Sequence, residues 1–251
     1  MYRYKITIEY DGKNFSGWQK QLGKTTIQGV LQEACEKLND SEVVIYGAGR
    51  TDAGVHAQGQ VAHFDLKNKF EPNKLLMALN FHIRRSAQGK EIVVLNVERV
   101  NSTFHARYNA VAKVYCYRIL NSKTPLALER ERAWWVPQHL NIRLMRKASK
   151  LLIGNHDFSA FRSSSCQAKT PVKTLDTIKL KSIGKEIKIF LHARSFLHNQ
   201  VRIIVGTLVE VGRGKKSYNE IRNALKSKTR INAGPTAPAE GLTLVNVDYK
   251  N

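Results

Sequence analysis

Val43-Val44-Ile45-Tyr46-Gly47-Ala48-Gly49-Arg50-Thr51-Asp52-Ala53-Gly54-Val55-His56-Ala57 runs on into Gln58-Gly59-Gln60-Val61-Ala62-His63-Phe64-Asp65-Leu66. Apolar residues lead in, an alternating run leads out, and small residues crowd the middle. The pattern predicts strands at about 43–47 and 60–66 joined by a glycine-rich turn. Such a turn lets the backbone approach a ligand closely. It carries one carboxylate, Asp52, with Arg50 two residues before it and Gly54 two residues after. An Arg-Thr-Asp tripeptide alone reads as an ordinary turn with a surface Arg50–Asp52 pair. Small neighbours and apolar strands on both sides favour a carboxylate presented for use.

Working outward, Tyr4, Ile6, Ile8 and Tyr10 alternate with Arg3, Lys5, Thr7 and Glu9, as in a half-buried strand. Ile27, Val30, Leu31, Ala34, Cys35 and Leu38 fall at helical spacing after Thr25-x-x-Gln28, a capping-box pattern. A helix opens at Pro72 and a strand covers Ile92–Val97. The second half repeats the order. One strand sets Tyr115, Tyr117 and Ile119 on a common face, and a helix uses Leu144, Met145, Ala148, Leu151 and Leu152 before Gly154. Strands follow near 174–182 and 186–194, then a long apolar helix at about 197–211. A short helix follows a second capping box, Ser217-x-x-Glu220, and a last strand covers 242–249. Two β/α rounds with helices on one face predict an α+β fold of two similar halves, 1–104 and 105–251. No Pro/Gly/Ser linker divides them, so one continuous sheet is expected.

Charge separates the halves. The chain has 251 residues, with 41 Lys and Arg against 20 Asp and Glu, a net of +21. Residues 1–100 hold 14 basic and 11 acidic residues, whereas residues 101–251 hold 27 and 9, a net of +18. Self-repulsion of this size is tolerated most easily when a phosphate backbone neutralises it, so a polyanion partner is expected. Three loops mix basic residues with aromatic or hydroxyl groups, as RNA contact requires. They supply Lys13, Trp18 and Lys20; Arg162 and Lys169; and Arg213, Lys215 and Lys216. Cys35, Cys116 and Cys166 are odd in number and never paired as CxxC, which argues for a reducing cytoplasm and against a zinc site. No run reaches transmembrane length, and the opening strand pattern at Met1–Ile6 leaves no expected signal peptide. Walker, GxGxxG and HExxH motifs are all missing, so no metal or cofactor is expected.

The string from Gly49 to Phe64 resembles the signature of the TruA family of tRNA pseudouridine synthases. The likeness extends through Glu9-Tyr10-Asp11-Gly12, Phe15-Ser16-Gly17-Trp18-Gln19, Thr26-Ile27-Gln28-Gly29, Phe104-His105-Ala106-Arg107 and Tyr115-Cys116-Tyr117. It ends with Phe196-Leu197-His198-Asn199-Gln200-Val201-Arg202 and Ala239-Glu240-Gly241-Leu242. The resemblance implies a mostly antiparallel sheet joined across a central catalytic cleft. It also implies a homodimer, and cofactor-free isomerisation of uridine in the tRNA anticodon stem-loop (positions 38–40). Asp52 would be the nucleophile.

A carboxylate is ionised at neutral pH and needs no separate base, which suits Asp52 to that role. Covering the site with RNA removes water, so a nearby cation has to keep the charge in place. Arg202 sits in the apolar Val201–Gly206 run. It either reaches solvent at a helix edge or meets a carboxylate, and the family motif favours an Arg202–Asp52 pair. Tyr115 reads by periodicity as a core tyrosine, with Tyr117 on the same face. Only the motif selects Tyr115 to stack on uracil or sugar and assist proton transfer. For Arg50, the resemblance suggests entry into the space vacated by a flipped uridine. His56 is either an RNA contact or a satisfied buried imidazole. Two rival classes are a non-catalytic RNA-binding protein, which leaves the Asp52 turn unexplained, and a metal nuclease using Asp11, Asp52 and Asp65. Such a nuclease needs acids that converge on Mg²⁺.

Overall fold

The computed structural model describes residues 1–125 and 127–250. In chain order the elements are β1 (Tyr2–Tyr10), α1 (Ile27–Asn39), β2 (Tyr46–Gly47), β3 (His56–Leu66), α2 (Pro72–Arg84), β4 (Ile92–Arg99), β5 (Ala110–Asn121) and β6 (Trp134–Val136). They continue with α3 (Ile142–Ser149), β7 (Gly154–Asp157), β8 (Val172–Leu175), β9 (Thr177–Ile183), β10 (Glu186–Ala193), α4 (Gln200–Gly212), α5 (Tyr218–Ser227) and β11 (Leu242–Tyr249). The architecture is α+β with mostly antiparallel pairing. The chain packs as two units, residues 1–111 with 243–251, and residues 112–242.

In the first unit β1 lies between β4 and β3, antiparallel to both. β3 also takes β11 in parallel register, Thr243 opposite His56, and pairs with β2 farther along, Tyr46 opposite His63. Tyr4, Ile6, Ile8 and Tyr10 are buried as their alternation predicts. Helix α1 buries Ile27, Val30, Leu31, Ala34 and Cys35, and α2 buries Leu75, Leu79 and Ile83. The α1 cap is Thr26, whose hydroxyl accepts the Gly29 amide at 3.2 Å, one residue later than the expected Thr25. Gln28 does not close a capping box. Its carboxamide accepts from Gln19 and Lys20 and donates to the Ile45 carbonyl at 2.8 Å, tying α1 to the segment before β2. That segment is strand only at Tyr46–Gly47, although Val43 and Ile45 are buried.

In the second unit β10 lies between β5 and β9, antiparallel to both, and β6 runs parallel to β5. The strand expected at 174–182 is two strands broken at Asp176: β8 pairs with β7, and β9 with β10. Helix α3 buries Met145 and Ala148, and the following turn buries Leu152. Helix α4 starts at Gln200 rather than 197, because Asn199 takes a left-handed conformation with φ of 62°. Ser217 and Glu220 form the expected capping box of α5, and the Ser217 amide donates to Glu220 Oε2 at 2.6 Å.

Candidate active site

The turn between β2 and β3 is clamped from several sides. The Ala48 amide donates to the Val61 carbonyl at 2.7 Å, and the Val55 amide to the Asp52 carbonyl at 3.2 Å. Thr51 is held by its hydroxyl, 2.8 Å from the Tyr10 phenol, and by its carbonyl, which accepts the Trp18 amide at 3.0 Å. Gln60 Nε2 donates to the Gly49 carbonyl at 2.9 Å and reaches the Tyr10 oxygen at 3.4 Å. The phenol oxygen therefore accepts from the Gln60 amide and shares a second hydrogen bond with the Thr51 hydroxyl. Burial pushes the Tyr10 phenol up to about 12, so it stays a neutral donor. Asp52 is half-buried at the end of this clamp.

Three separate sequence blocks build the support. Gly17 has φ of 89°, and a Cβ there would lie 2.7 Å from the Thr51 carbonyl oxygen, so a side chain would push on the turn. Trp18 lies on Gly47, where a Cβ would come within 2.6 Å of the indole. Its carbonyl accepts the Gln28 amide at 3.0 Å, and the Gly17 carbonyl accepts that of Ile27 at 3.2 Å. This corrects the expectation that Trp18 serves as an RNA contact. Phe15 and Trp18 are only 3% and 2% exposed, and Trp18 braces the Asp52 turn instead of offering its ring to a base. Lys13 and Lys20 are exposed. Arg50 is exposed and forms no hydrogen bond or ion pair with the described residues, so the surface Arg50–Asp52 pair is not formed.

His56 is 8% exposed, and its Nδ1 is 3.1 Å from both the Gly12 amide and Asp11 Oδ1. The amide needs a lone pair on that nitrogen and the carboxylate needs a proton there, so a single tautomer makes only one of the two as a hydrogen bond. Another histidine, His63, is 1% exposed and accepts the Ala106 amide on Nδ1 at 3.2 Å. Burial, with the His105 and Arg3 charges, lowers it to about 4, which keeps it the neutral acceptor. Tyr46 stacks on it at 5.0 Å and His105 meets it edge-on at 4.6 Å. The Phe104–Arg107 block is thus fixed to β3.

In the second unit the structure separates the two tyrosines. Tyr117 is fully buried, donates to the Pro238 carbonyl at 2.7 Å and packs against Gly241. Tyr115 is 8% exposed and meets Phe196 edge-on at 5.3 Å. Arg202 is half-buried, donating from Nε to the Ala237 carbonyl at 2.7 Å and from Nη1 to Asn199 Oδ1 at 3.0 Å. Of the basic loop residues, Lys169 and Lys215 are exposed and Arg162 is half-buried. Arg213 is committed to Glu210 at 3.0 Å and Gln138 at 2.8 Å, and lies 5.8 Å from the Trp134 ring. Lys216 reaches Glu220 at 3.4 Å and the Asn232 carbonyl at 3.3 Å. Two residues read from sequence as phosphate contacts therefore already have internal partners.

Sequence reasoning missed Tyr10, Thr51 and Gln60. The available signal was Gln60, a polar side chain inside an apolar strand, which is 0% exposed. Among the described residues, no three His, Cys, Asp or Glu side chains gather as a metal site requires, and Asp65 is bound in two places to Arg3. No described helix is long and apolar enough to cross a membrane.

A family model described as tRNA pseudouridine synthase matches residues 6–109 and 148–250. A tRNA pseudouridine synthase A of Paramagnetospirillum magneticum is 48% identical over 249 residues, 99% of this chain and 96% of that protein. Its counterpart of the same name in Bartonella bacilliformis is 45% identical over 249 residues, 99% of this chain and 100% of that protein. With the family blocks built into the support of the Asp52 turn and into the Tyr115 and Arg202 surroundings, the chain belongs to the tRNA pseudouridine synthase family.

Proposed function

We propose that this chain isomerises uridine to pseudouridine in the anticodon stem-loop of tRNA, with Asp52 as nucleophile. The observation that supports it best is the clamp on residues 48–55. Hydrogen bonds from Gln60 and the Trp18 amide to the Gly49 and Thr51 carbonyls, with the Tyr10 phenol on the Thr51 hydroxyl, hold the chain just before Asp52. The Val55 amide closes the turn onto the Asp52 carbonyl, and Asp52 is half-buried. Such preorganisation is what a covalent nucleophile needs and a plain RNA-binding surface does not.

The reaction breaks the bond from ribose C1′ to uracil N1 and forms one from C1′ to C5. N1 gains a proton and C5 loses one, so nothing is oxidised or reduced. Asp52 attacks either ribose C1′ or uracil C6. Tyr115 stacks on the base or sugar and assists proton transfer at C5. Arg202 supplies the positive charge that keeps the Asp52 carboxylate ionised once water is displaced. Arg50, exposed and uncommitted among the described residues, enters the stack where the flipped uridine stood.

The half at 1–104 carries the nucleophile, and the basic half at 105–251 carries most of the RNA track. The protein acts in the cytoplasm as a homodimer. Incubation with unmodified tRNA and mapping of pseudouridine by position tests the reading. Modification confined to the anticodon stem-loop is expected, and absence of pseudouridine refutes it.

A further inference from the structure

We infer that a cavity at the start of α4, in the second unit, binds one phosphodiester group of the RNA backbone. The cavity is about 490 Å³ and is lined by Arg162, Lys228 and Arg230, with hydroxyls from Ser163, Ser164 and Thr236. No carboxylate and no aromatic ring of the described residues is on its wall. Arg162 is half-buried, yet makes no hydrogen bond or ion pair with the described residues. Arg230 is met only by dipoles among the described residues, donating to the Gly234 carbonyl at 2.8 Å and to the Thr236 hydroxyl at 3.3 Å. Burial lowers its guanidinium from the ordinary arginine value. Of the three cations, Lys228 has a carboxylate, Asp157 at 3.2 Å.

Two partly desolvated guanidinium groups without an anion are unfavourable, and one phosphate between them reverses that cost. Arginine forks suit phosphate oxygens, and the neighbouring hydroxyls donate to the same group. Asn199 lines the wall, and its carboxamide oxygen accepts from Arg202 and does not cap α4. The positive end of a 13-residue helix thus adds to the field. The wall has no ring to stack on a base, which favours a backbone phosphate over a free nucleotide. Arg230 and Lys228, both on the cavity wall, come from the basic run Lys226-Ser227-Lys228-Thr229-Arg230.

This assignment rests on the RNA reading above. The test measures the affinity of an anticodon stem-loop RNA over a range of KCl, alongside thermal unfolding with inorganic phosphate. Arg162→Gln is expected to lower the slope of log affinity against log salt by about 0.7–0.9 and to abolish protection by phosphate. Arg162→Lys keeps the parent slope with a few-fold weaker affinity, since charge remains and the fork is lost. Should Arg162→Gln not fold, Ser164→Asp serves instead, at an exposed position. A carboxylate there is expected to weaken RNA binding at least about tenfold.

An unchanged slope in Arg162→Gln, or in its stead unchanged affinity in Ser164→Asp, overturns the proposal. So does phosphate protection without any change in slope, which assigns the cavity to a free anion. Pseudouridine formation by the parent is followed in the same preparation. If it proceeds while the slope stays fixed, only the cavity assignment falls. If the parent forms none, the functional reading falls, and the phosphate arm still decides whether an anion site exists.

Discussion

Gly17→Ala separates a braced nucleophile from a merely well-folded loop. Alanine at φ of 89° costs about 1–2 kcal/mol of backbone energy. Its Cβ would sit 2.7 Å from the Thr51 carbonyl oxygen and 3.2 Å from both the Ala53 nitrogen and the Asp52 carbonyl carbon. An ordinary carbon–oxygen contact is about 3.3 Å or longer, so the turn must open by about 0.6 Å beside the nucleophile. A 1 Å misplacement costs about 10²-fold in rate, so about tenfold is expected in kcat. Gly23 is the control, with φ of 69° and nothing within 4 Å of a built Cβ. Gly23→Ala therefore bears similar backbone strain without touching the turn. Chemical denaturation gives the stability of each variant. Single-turnover release of tritium from tRNA labelled at uracil C5 gives the rate. The expected result is a similar stability loss in both variants, with a rate loss only in Gly17→Ala. Equal rates in the two would refute the reasoning.

Three further outcomes follow from the same contacts. His63 is held at about 4 in the folded protein, below the ordinary histidine value, so the unfolded chain takes up more protons between roughly pH 6.5 and 4. Stability should therefore fall by up to about 3 kcal/mol as pH drops through that window, and His63→Gln should flatten this dependence in denaturation curves. Lys215→Gln should reduce the salt slope of tRNA binding by about 0.7–0.9, whereas Lys216→Gln should change it little, because Lys216 is already engaged by Glu220 and the Asn232 carbonyl. Arg202→Met should cost about 1–3 kcal/mol by orphaning the Ala237 carbonyl and Asn199, measured by urea denaturation; full stability would leave those contacts without consequence.

Where local chemistry decides an element, the sequence shows it. The last strand, 242–249, and the capping box at Ser217 and Glu220 are found where their patterns put them. Where a tertiary partner decides, pattern reading falls short. Asn199 looks helical in sequence, but its left-handed backbone starts α4 three residues late. Trp18 sits among lysines and glycines and reads as exposed, yet Gly47 leaves room for its indole. Arg213 and Lys216 count as free charge until Glu210 and Glu220 are found beside them. In the Asp52 turn, the glycines and the carboxylate are legible. The clamp is not, because Tyr10 and Gln60 reach it from β1 and β3 through the fold.

The central claim is that Asp52 carries the chemistry, and Asp52→Asn tests it most directly. Unmodified tRNA is incubated with each protein, pseudouridine is mapped by position, and tRNA affinity is measured in parallel. The account predicts a loss of turnover of roughly 10⁴-fold or more with affinity within about tenfold of the parent. Pseudouridine formation at the parental rate by the Asp52→Asn variant would contradict it.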